Sequence, residues 1–401
     1  MDSALAQLRD GLSAMTDHEV VSVHDALGRV LAAPVRAARA HPPYANAAVD
    51  GYGFAHDSLA SAGSGDLAVL PLIPGRAAAG APFHGRVPAD RAIRILTGAM
   101  IPAGVDTVVL EEDVHVTDDT VTLRTGLKPG ANTRRAGEDM DVDARALDAG
   151  LRLRPQDLGL AAALGVGTVP VQRQLRVAVL STGDELVEAG ASAKSHQMYD
   201  ANRPMLCALL DRWGYDVVDL GRAADNPAEV GARIEDGRAR ADAVLTTGGA
   251  SAGDEDHVSA VLRRAGVLRT WRIAVKPGRP LALANWDGTP IFGLPGNPVA
   301  ALVCALIFAR PALSVLQGAG WPEPMAMVVP AAFSKAKKAG RREYLRARLT
   351  PDGTAQTYHS EGSGRISSLS WAQGLVELPD EALQVTPGTP VRYLPFAGFD
   401  L

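Results

Sequence analysis

The sequence predicts a multidomain α/β protein: one doubly wound α/β domain, preceded by an inserted β-rich domain and followed by a small C-terminal β barrel or sandwich. The first observation is that strand-like and helix-like segments alternate over residues 175–322, which indicates a mostly parallel sheet covered on both faces. The second is that residues 44–138 contain short alternating runs joined by turns. The third is that residues 323–401 consist of short segments separated by Gly and Pro.

The β-rich stretch is flanked by segments of a different character. Residues 1–43 include "HEVVSVHDALGRVLAAPVRA", and residues 139–174 include "RLRPQDLGLAAALGVGTVPV". Both carry helical or mixed periodicity rather than strand alternation. We therefore interpret residues 44–138 as an insertion into a unit that 1–43 and 139–174 form together.

The α/β domain can be divided into elements in chain order. The predicted strands are "LRVAVLST", "YDVVDLG", "ADAVLTT", "PLALAN" and "TPIFGLPG". The predicted helices are "NRPMLCALLDRWG", "NPAEVGARIEDGRAR", "DHVSAVLRRAG" and the long apolar "NPVAALVCALIFARPALSVLQ". Pro227 near the start of the second helix is typical of a first helical turn.

Composition excludes several classes of protein. The chain has 401 residues, 47% of them hydrophobic, and its longest apolar run, Val299 to Ala309, is shorter than the roughly 20 residues that span a bilayer. A net charge of −5 gives no general reason to expect nucleic acid as a partner. Cys207 and Cys304 lie among apolar neighbours, which argues against a disulfide framework or a thiolate zinc site. With no signal-peptide pattern at the start, we expect a soluble cytoplasmic protein without a membrane partner.

Three predicted strands are followed by glycine-rich loops: "STGDEL" (181–186), "TTGGASAGDED" (246–256) and "GLPGNP" (293–298). Ligands of open α/β sheets bind at the carboxyl ends of the strands. Glycines there let successive amides form an anion-binding nest, although a loop can also use glycine simply to turn. Three such loops at one edge favour a phosphate-bearing ligand, with Gly248, Gly249 and Ser251 among its contacts.

Carboxylates cluster in the same loops. Acids beside a phosphate nest are useful if a magnesium ion bridges them, because Mg²⁺ takes oxygen ligands and shares them with phosphates. We predict that Glu185, Asp225 and Asp256 do this, whereas Asp184 and Asp254 are more simply explained as helix N-caps. Glu255 belongs to the same acidic group.

Positive charge is predicted at "WRIAVKPGRPLAL", where Lys276 and Arg279 flank a Pro-Gly turn. Two solvated surface cations are the simpler alternative. A turn that fixes both side chains, one with an ammonium group and one with a planar guanidinium group, is suited to binding an oxyanion. His257 has no nucleophile motif beside it and is interpreted as structural.

Nine motifs, taken in order over essentially the whole chain, resemble the molybdopterin molybdenumtransferase family, of the MoeA and gephyrin E-domain type. They are "VDGYGF" (49–54), "ILTGAMIPAGVDTVVLEED" (95–113), "NTRRAGEDM" (132–140), "STGDEL", "YDANRPML" (199–206), "TTGGASAGDEDHV" (246–258), "VKPGRPLAL" (275–283), "GLPGNPVAALV" (293–303) and "GRREYLRARL" (340–349).

The resemblance implies a four-part homodimer with an elongated linker domain and a molybdopterin-binding α/β domain. Its active site would lie between the α/β domain of one subunit and the inserted domain of the other. Such enzymes bind adenylylated molybdopterin, cleave its pyrophosphate link with Mg²⁺ and insert molybdate with release of AMP. A molybdopterin adenylyltransferase would then be the donor of the substrate.

The resemblance also assigns roles to residues. Asp50 and Thr97 match an acid and a hydroxyl contributed across the dimer, with Arg134 and Asp139 nearby. Glu185, Asp225 and Asp256 match the acids of the cleft that binds the pterin nucleotide. Its remaining wall matches Lys276, Pro295 and Pro298, and the molybdate pocket matches Arg279, Arg346 and Ser368, with Ser367 as an adjacent candidate for the last.

Four positions depart from the pattern: Ala47 and Val49 stand where the family usually has Ser and Met, Arg279 where it has Lys, and Ala300 where it has Ser. These changes leave three alternatives open beside molybdenum insertion. The chain could be a paralogue with altered metal preference (tungstate) or weakened activity, a molybdopterin adenylyltransferase, or a non-catalytic scaffold.

Overall fold

The computed structural model describes residues 1–61, 65–248, 257–266, 268–278 and 280–401. The first segment contains helix α1 (Asp2–Asp10) and strands β1 (His18–Ser22) and β2 (Val35–Arg36). Helix α1 does not pack with these strands: its buried Leu8 lies in the core of the α/β domain, and Asp2 forms an ion pair with Arg342. The first helix therefore ties the start of the chain to the α/β and C-terminal domains.

The β-rich domain follows. It contains β3 (Asn46–Ala47), β4 (Gly51–Phe54), the short helix α2 (Ser58–Ser61), β5 (Leu67–Ala77), β6 (Ala92–Ile95), β7 (Thr107–Leu110), β8 (His115–Val116), β9 (Thr120–Arg124) and β10 (Thr133–Arg134). Six of these strands form one sheet in the order β7-β4-β6-β5-β9-β8. The β5–β6 pair is parallel and the others are antiparallel. Phe54, Leu70 and Leu123 fill the core on one face.

The chain then returns to the first segment through β11 (Arg145–Leu147), helix α3 (Pro155–Ala163) and β12 (Thr168–Gln172). Strand β12 pairs with β1 and β11 pairs with β2, both antiparallel. Leu31, Leu153 and Val171 form the core between them. The segments before and after the β-rich sheet thus build one unit, and the β-rich domain is inserted between them in the sequence.

The α/β domain comprises fourteen elements in the described residues. They are β13 (Arg176–Thr182), β14 (Leu186–Val187), β15 (Met198–Tyr199), α4 (Asn202–Arg212), β16 (Asp216–Ala223), α5 (Pro227–Arg240), β17 (Ala243–Thr247), α6 (His257–Arg264), β18 (Leu268–Arg272), β19 (Val275–Lys276), β20 (Pro280–Trp286), β21 (Thr289–Leu294), α7 (Pro298–Cys304) and α8 (Arg310–Leu316).

Its central sheet has the order β16-β13-β17-β21-β20-β18. The first four strands are parallel, as predicted. Strand β20 runs antiparallel to β21, and β18, at the edge, pairs antiparallel with β20 and so runs in the direction of the first four. Alternate residues of β13 lie on opposite faces of the sheet. Val177 and Val179 pack with α4, α7 and α8, whereas Ala178 and Leu180 pack with α5 and α6. The doubly wound α/β fold predicted from the sequence is confirmed.

The long apolar helix is almost entirely internal. Helix α7 continues through a π-helical turn at Ala305–Ala309 into α8. The resulting 19-residue segment, Pro298–Leu316, has a mean hydropathy of 2.2 and could cross a membrane by length and composition, but 89% of it is buried inside the protein. A helix that is apolar all round belongs in a large core or a membrane, and this one lies in the core.

The C-terminal domain contains β22 (Met327–Pro330), β23 (Lys335–Lys337), β24 (Arg342–Leu349), β25 (Ala355–Thr357), α9 (Ser367–Trp371), β26 (Gly374–Leu378), β27 (Leu383–Val385) and β28 (Pro390–Pro395). Its main sheet has the order β19-β24-β26-β28-β22, with β25 also paired to β24. Strand β19 comes from the α/β stretch of the chain and pairs in parallel with β24. This pairing carries Lys276 into the C-terminal sheet.

Candidate active site

Four parallel strands bring the predicted loops to one edge of the central sheet. Strands β16, β13, β17 and β21 are neighbours in that order and end at Ala223, Thr182, Thr247 and Leu294. Their last residues lie side by side, with Thr182 opposite Ala223 and Thr247 opposite Leu294. The loops that follow therefore share the carboxyl edge of the sheet, where open α/β sheets bind ligands.

Gly248 begins the central loop in a conformation that requires glycine. Its φ is +92°, and a Cβ at this position would lie 2.6 Å from the carbonyl oxygen of Thr182. Because that neighbour is backbone, the contact cannot be relieved by a side-chain rotation. The rest of this loop, including the predicted contacts Gly249 and Ser251 and the acids Asp254, Glu255 and Asp256, lies outside the described residues, as does Arg279.

Asn202 joins the central loop to its neighbour, a role that the sequence analysis did not assign. Its Nδ2 donates to Thr247 Oγ1 at 2.7 Å and to the carbonyl oxygen of Gly296 at 2.6 Å. Thr247 Oγ1 in turn donates to the carbonyl oxygen of Pro295 at 3.4 Å. The "YDANRPML" motif places Asn202 at the start of a helix. The sequence therefore singles out this residue, but it does not show that Thr247 and Gly296 are its hydrogen-bond partners.

Buried polar atoms without a partner mark the same edge. Within the described part of the chain, the side-chain oxygens of Ser181, Thr182, Asn202 and Thr246 have no hydrogen-bond partner although they are buried. An unpaired buried oxygen is costly, and most such groups in native proteins are paired by protein or by ordered water. A polar ligand or water at this edge is therefore expected.

Asp184 and Asp225 hold the first two loops together. The amide of Asp184 donates to Asp225 Oδ2 at 3.0 Å, and the amide of Asp225 donates to Asp184 Oδ1 at 3.1 Å. The prediction that Asp184 caps a helix is wrong, because no helix begins in its loop. Helix α5 begins after the Asp225 loop and is capped instead by Asn226, whose side chain accepts from Glu229 N.

Glu185 and Asp225 carry carboxylate oxygens, the type of ligand atom that Mg²⁺ prefers. Glu185 is exposed and folds back over its own loop, where a Cβ on Gly183 would lie 2.5 Å from Glu185 Oε2. Among the described residues no group of three His, Cys, Asp or Glu side chains is placed to hold a metal ion. The third predicted ligand, Asp256, is not described, so the magnesium site remains a prediction.

Lys276 is committed to an ion-pair network with the C-terminal domain. Its Nζ lies 2.6 Å from Glu361 Oε2 and 3.6 Å from Glu343 Oε2. Lys335 approaches the same two carboxylates, at 3.1 Å from Glu343. Two lysines thus face two glutamates between β19, β23 and β24. An anionic ligand that uses Lys276 has to compete with Glu361.

Arg346 and Ser368, two of the three residues predicted for the molybdate pocket, lie in direct contact. Arg346 Nε donates to Ser368 Oγ at 2.9 Å, and both side chains are buried, with 3% and 0% exposure. The remaining Arg346 donors bind the carbonyl oxygens of residues 360–362, and Ser368 Oγ donates to the carbonyl oxygen of Arg365. Burial lowers the pKa of Arg346. The pair therefore organises the 360–362 loop, and its donors are already in use.

Ser367, the adjacent candidate for the molybdate pocket, is exposed. Ser367 Oγ lies 3.2 Å from the hydroxyl of Tyr358. The 360–364 loop also reaches the α/β domain, because Val299 N at the start of α7 donates to the carbonyl oxygen of Ser363 at 3.1 Å. The loop held by Arg346 thus lies against the turn that contains Pro295 and Pro298.

Asp50 and Thr97 form a second group, in the β-rich domain. Asp50 Oδ1 accepts from both the hydroxyl and the amide of Thr97, each at 2.7 Å. The Thr97 hydroxyl, followed by the Thr97 amide, holds the pKa of the Asp50 carboxyl below its usual value. Arg134 and Asp139 are exposed at β10 and in the turn after it. In the described parts of the chain, no hydrogen bond or ion pair joins these four residues to the α/β domain.

Three family descriptions match the chain: "MoeA N-terminal region (domain I and II)" over residues 1–165, "Probable molybdopterin binding domain" over 178–315 and "MoeA C-terminal region (domain IV)" over 328–396. The molybdopterin molybdenumtransferase of Haemophilus influenzae is 35% identical over 402 residues, which cover 99% of this chain and 98% of the relative. The chain belongs to the molybdopterin molybdenumtransferase family. Molybdopterin molybdenumtransferase 2 of Mycobacterium tuberculosis is 33% identical, with 93% of each chain covered.

Solved structures agree with this membership. Two crystal structures of the molybdopterin biosynthesis moeA protein from Pyrococcus horikoshii cover 98% of this chain and 98% of their own, with TM-scores of 0.82 and 0.86 at 29% and 26% identity. The family recognised from nine motifs, and the fold expected with it, are therefore confirmed.

The three described departures from the family pattern fall on packed positions. Ala47 is fully buried in the β-rich domain and Val49 packs beside it. Ala300 is 2% exposed in α7 and lies near Gly278. At these three positions the side chain contributes to packing and offers no polar atom. Members of the molybdenumtransferase family with a serine there would carry an extra hydroxyl at each of two buried sites.

Proposed function

We propose that this chain is a cytoplasmic molybdopterin molybdenumtransferase, which inserts molybdate into adenylylated molybdopterin with release of AMP in the final step of molybdenum cofactor biosynthesis. The observation that carries the proposal is the convergence of four strand ends. They place the Gly248 loop, the Asp184–Asp225 pair and the Pro295 turn on one edge of the sheet. Family membership over 99% of the chain supports the same reaction.

Each part of the edge has a task in this reaction. The amides of the glycine loops bind the phosphates of the substrate, as helix-feeding loops of α/β sheets do. The carboxylates of Glu185 and Asp225, with Asp256, would hold Mg²⁺, which neutralises phosphate charge and polarises phosphoryl oxygens when bound. The unpaired buried oxygens of Ser181, Thr182 and Thr246 would gain partners from bound substrate or its water.

The enzyme would act as a homodimer with its active site shared between subunits. Asp50 and Thr97 lie beside the ends of β4 and β6, and neither has a described hydrogen bond to the cleft of its own chain. In a two-fold pair, each β-rich domain can reach the cleft of the partner subunit. The ionised Asp50, fixed by Thr97, would then complete the site from the other side.

The reaction is tested by measuring AMP release from adenylylated molybdopterin with molybdate and Mg²⁺. We expect release by the wild-type protein, and a loss of at least about a hundredfold in Asp225→Asn, since it removes a charge that the site needs. Asp211→Asn, at an exposed position of α4 away from the edge, is the matched control and should retain activity. A wild-type protein that releases no AMP above a blank would reject the proposal.

Two other results would identify the alternatives. Consumption of ATP with plain molybdopterin would indicate an adenylyltransferase instead of the enzyme that accepts its product. Insertion of tungstate in preference to molybdate, measured by metal analysis of the product in competition, would indicate a shifted metal specificity. In the proposed reaction, a separate molybdopterin adenylyltransferase supplies the substrate.

The shared site is tested by complementation between inactive subunits. Asp50→Ala and Asp225→Ala each remove one half of the proposed site, so each homodimer should be inactive. A one-to-one mixture after subunit exchange should recover about a quarter of the wild-type activity, because half of the dimers then carry one intact site. No recovery in mixtures proven to contain heterodimers would show that both residues act within one chain.

A further inference from the structure

A separate cavity of about 430 Å³ lies at the opposite edge of the central sheet. It surrounds the turn between α4 and β16, next to the amino ends of the parallel strands. Strand β13, which has 7 residues, runs from this edge to the candidate active site and spans about 20 Å. Three parts of the chain line the cavity. Gly28 and Arg152 come from the unit that residues 1–43 and 139–174 form, Arg212, Tyr215 and Arg310 come from the α/β domain, and Asp400 comes from the C-terminal domain.

The wall of this cavity is strongly positive in a chain whose net charge is −5. Three guanidinium groups and one carboxylate face it, which gives three minus one, a net charge of +2. Only Arg310 is neutralised, with Nη2 at 2.7 Å from Asp400 Oδ2. Among the described carboxylates, none forms an ion pair with Arg152 or Arg212.

Arg152 and Arg310 are held in place by other contacts. Arg152 donates to the carbonyl oxygens of Gly28 at 2.8 Å and Trp213 at 3.1 Å, and to Gln317 Oε1 at 3.0 Å. The guanidinium of Arg310 stacks near the Trp213 ring, 6.0 Å from its centroid.

Arg212 is less engaged. Its Nε donates to the carbonyl oxygen of Asp400, and its two terminal nitrogens have no partner among the described residues. Tyr215 adds a neutral donor, because burial raises the pKa of its hydroxyl to about 12. Arg212 thus places spare donors beside two fixed cations, and such a cluster is suited to binding an oxyanion.

We propose that this cavity binds a tetrahedral dianion, either inorganic phosphate or the terminal phosphate of a small molecule. The volume falls in the range of about 300–1,000 Å³ that small-molecule sites occupy. The site is independent of the proposed transferase reaction, because none of its residues belongs to the carboxyl edge of the sheet. Since its walls come from three domains, a bound dianion also stabilises their arrangement.

Calorimetric titration of the full-length protein with inorganic phosphate, at constant ionic strength, tests the site. We expect saturable binding that weakens about tenfold or more in Arg212→Gln, the loss typical of one charge-assisted contact. Arg264→Gln is the matched control, since both arginines are exposed and end a helix of the same domain. A parallel titration with glycerol 3-phosphate distinguishes the two sources: tighter binding than phosphate identifies a phosphomonoester.

Three outcomes would overturn the proposal. They are no saturable binding by the wild-type protein, equal affinity in Arg212→Gln, and binding that Lys276→Gln abolishes while Arg212→Gln leaves it intact. The last result would place the anion in the transferase cleft. Thermal unfolding of each variant without phosphate shows that the fold is intact. At one fixed phosphate concentration, the melting temperature should rise equally in wild type and Arg264→Gln and by less in Arg212→Gln.

Discussion

Replacement of Gly248 by alanine is the sharpest test of the geometry at the candidate site. Two separate penalties apply to the new Cβ. It would hold a non-glycine residue at φ +92°, and it would lie 2.6 Å from the carbonyl oxygen of Thr182 and 2.9 Å from its Oγ1. Real Cβ atoms do not approach backbone this closely, so either the loop or strand β13 must move.

The two penalties can be given magnitudes. A left-handed backbone conformation costs an L-residue about 1–2 kcal/mol. Forcing an extra methyl group into a packed site costs about 1–3 kcal/mol. The sum is about 2–5 kcal/mol of lost folding stability in Gly248→Ala, part of which the protein can exchange for a displaced loop and a loss of activity.

Gly288→Ala separates the two penalties. Gly288, in the turn between β20 and β21, has φ +89°, and a Cβ there would meet nothing within 4 Å. This control should cost only the backbone term, about 1–2 kcal/mol. Urea unfolding of both variants, followed by circular dichroism, measures the difference. If Gly248→Ala is no less stable than Gly288→Ala and retains full AMP release, the close approach to Thr182 does not exist.

Three further predictions concern ionisation. Thr97→Val removes the hydroxyl that most lowers the pKa of Asp50, so NMR titration should show that pKa rising toward its usual value; an unchanged pKa would contradict the contact. Burial alone would raise the pKa of Asp242, but its hydrogen bonds from Arg173 and from the amide of Arg176 outweigh burial and keep it lowered. The resulting stability is present above the unfolded pKa of about 3.9 and lost as pH falls through the folded pKa, so Asp242→Asn should be less stable than wild type at pH 7, by a margin in urea unfolding that shrinks below about pH 4; a margin independent of pH would contradict it. Burial raises the pKa of Cys304 to about 12. In Cys207→Ser, which leaves Cys304 as the remaining cysteine, the thiol should react with Ellman's reagent at pH 8 only after unfolding, and rapid labelling of the folded variant would show that the helix is not packed as described.

The fold was predictable where the signal was local. Alternating apolar segments gave the parallel strands β13, β16, β17 and β21 and the helices between them. The reversal at β20 was missed, because the sequence analysis treated "PLALAN" and "TPIFGLPG" as further strands of a mostly parallel sheet. The connection between them, Asp287 and Gly288, is too short for a parallel crossover and is a typical hairpin turn. The length of the loop between two predicted strands therefore predicts whether the second strand runs parallel or antiparallel to the first.

The site was predictable only in part, for a different reason. Which residues follow the strands could be read from the sequence, and the common edge of the four strands followed from the fold. The partners of those residues could not be read. Lys276 meets Glu361 through the pairing of β19 with β24, and Asp184 meets Asp225 across two neighbouring strands. Contacts between distant segments depend on tertiary pairing, which no local pattern in one sequence records.

One loop of the C-terminal domain, residues 360–363, lies against the candidate site. Arg346 uses its donors to hold residues 360–362, and the next residue, Ser363, accepts from Val299 N at the start of α7. From that position Glu361 reaches Lys276 at 2.6 Å. A change at Arg346 would therefore alter the site by releasing the loop, even without direct contact to a ligand. Because the same loop borders the Pro295 turn and sets the partner of Lys276, the C-terminal domain fixes both the shape and the charge of this wall.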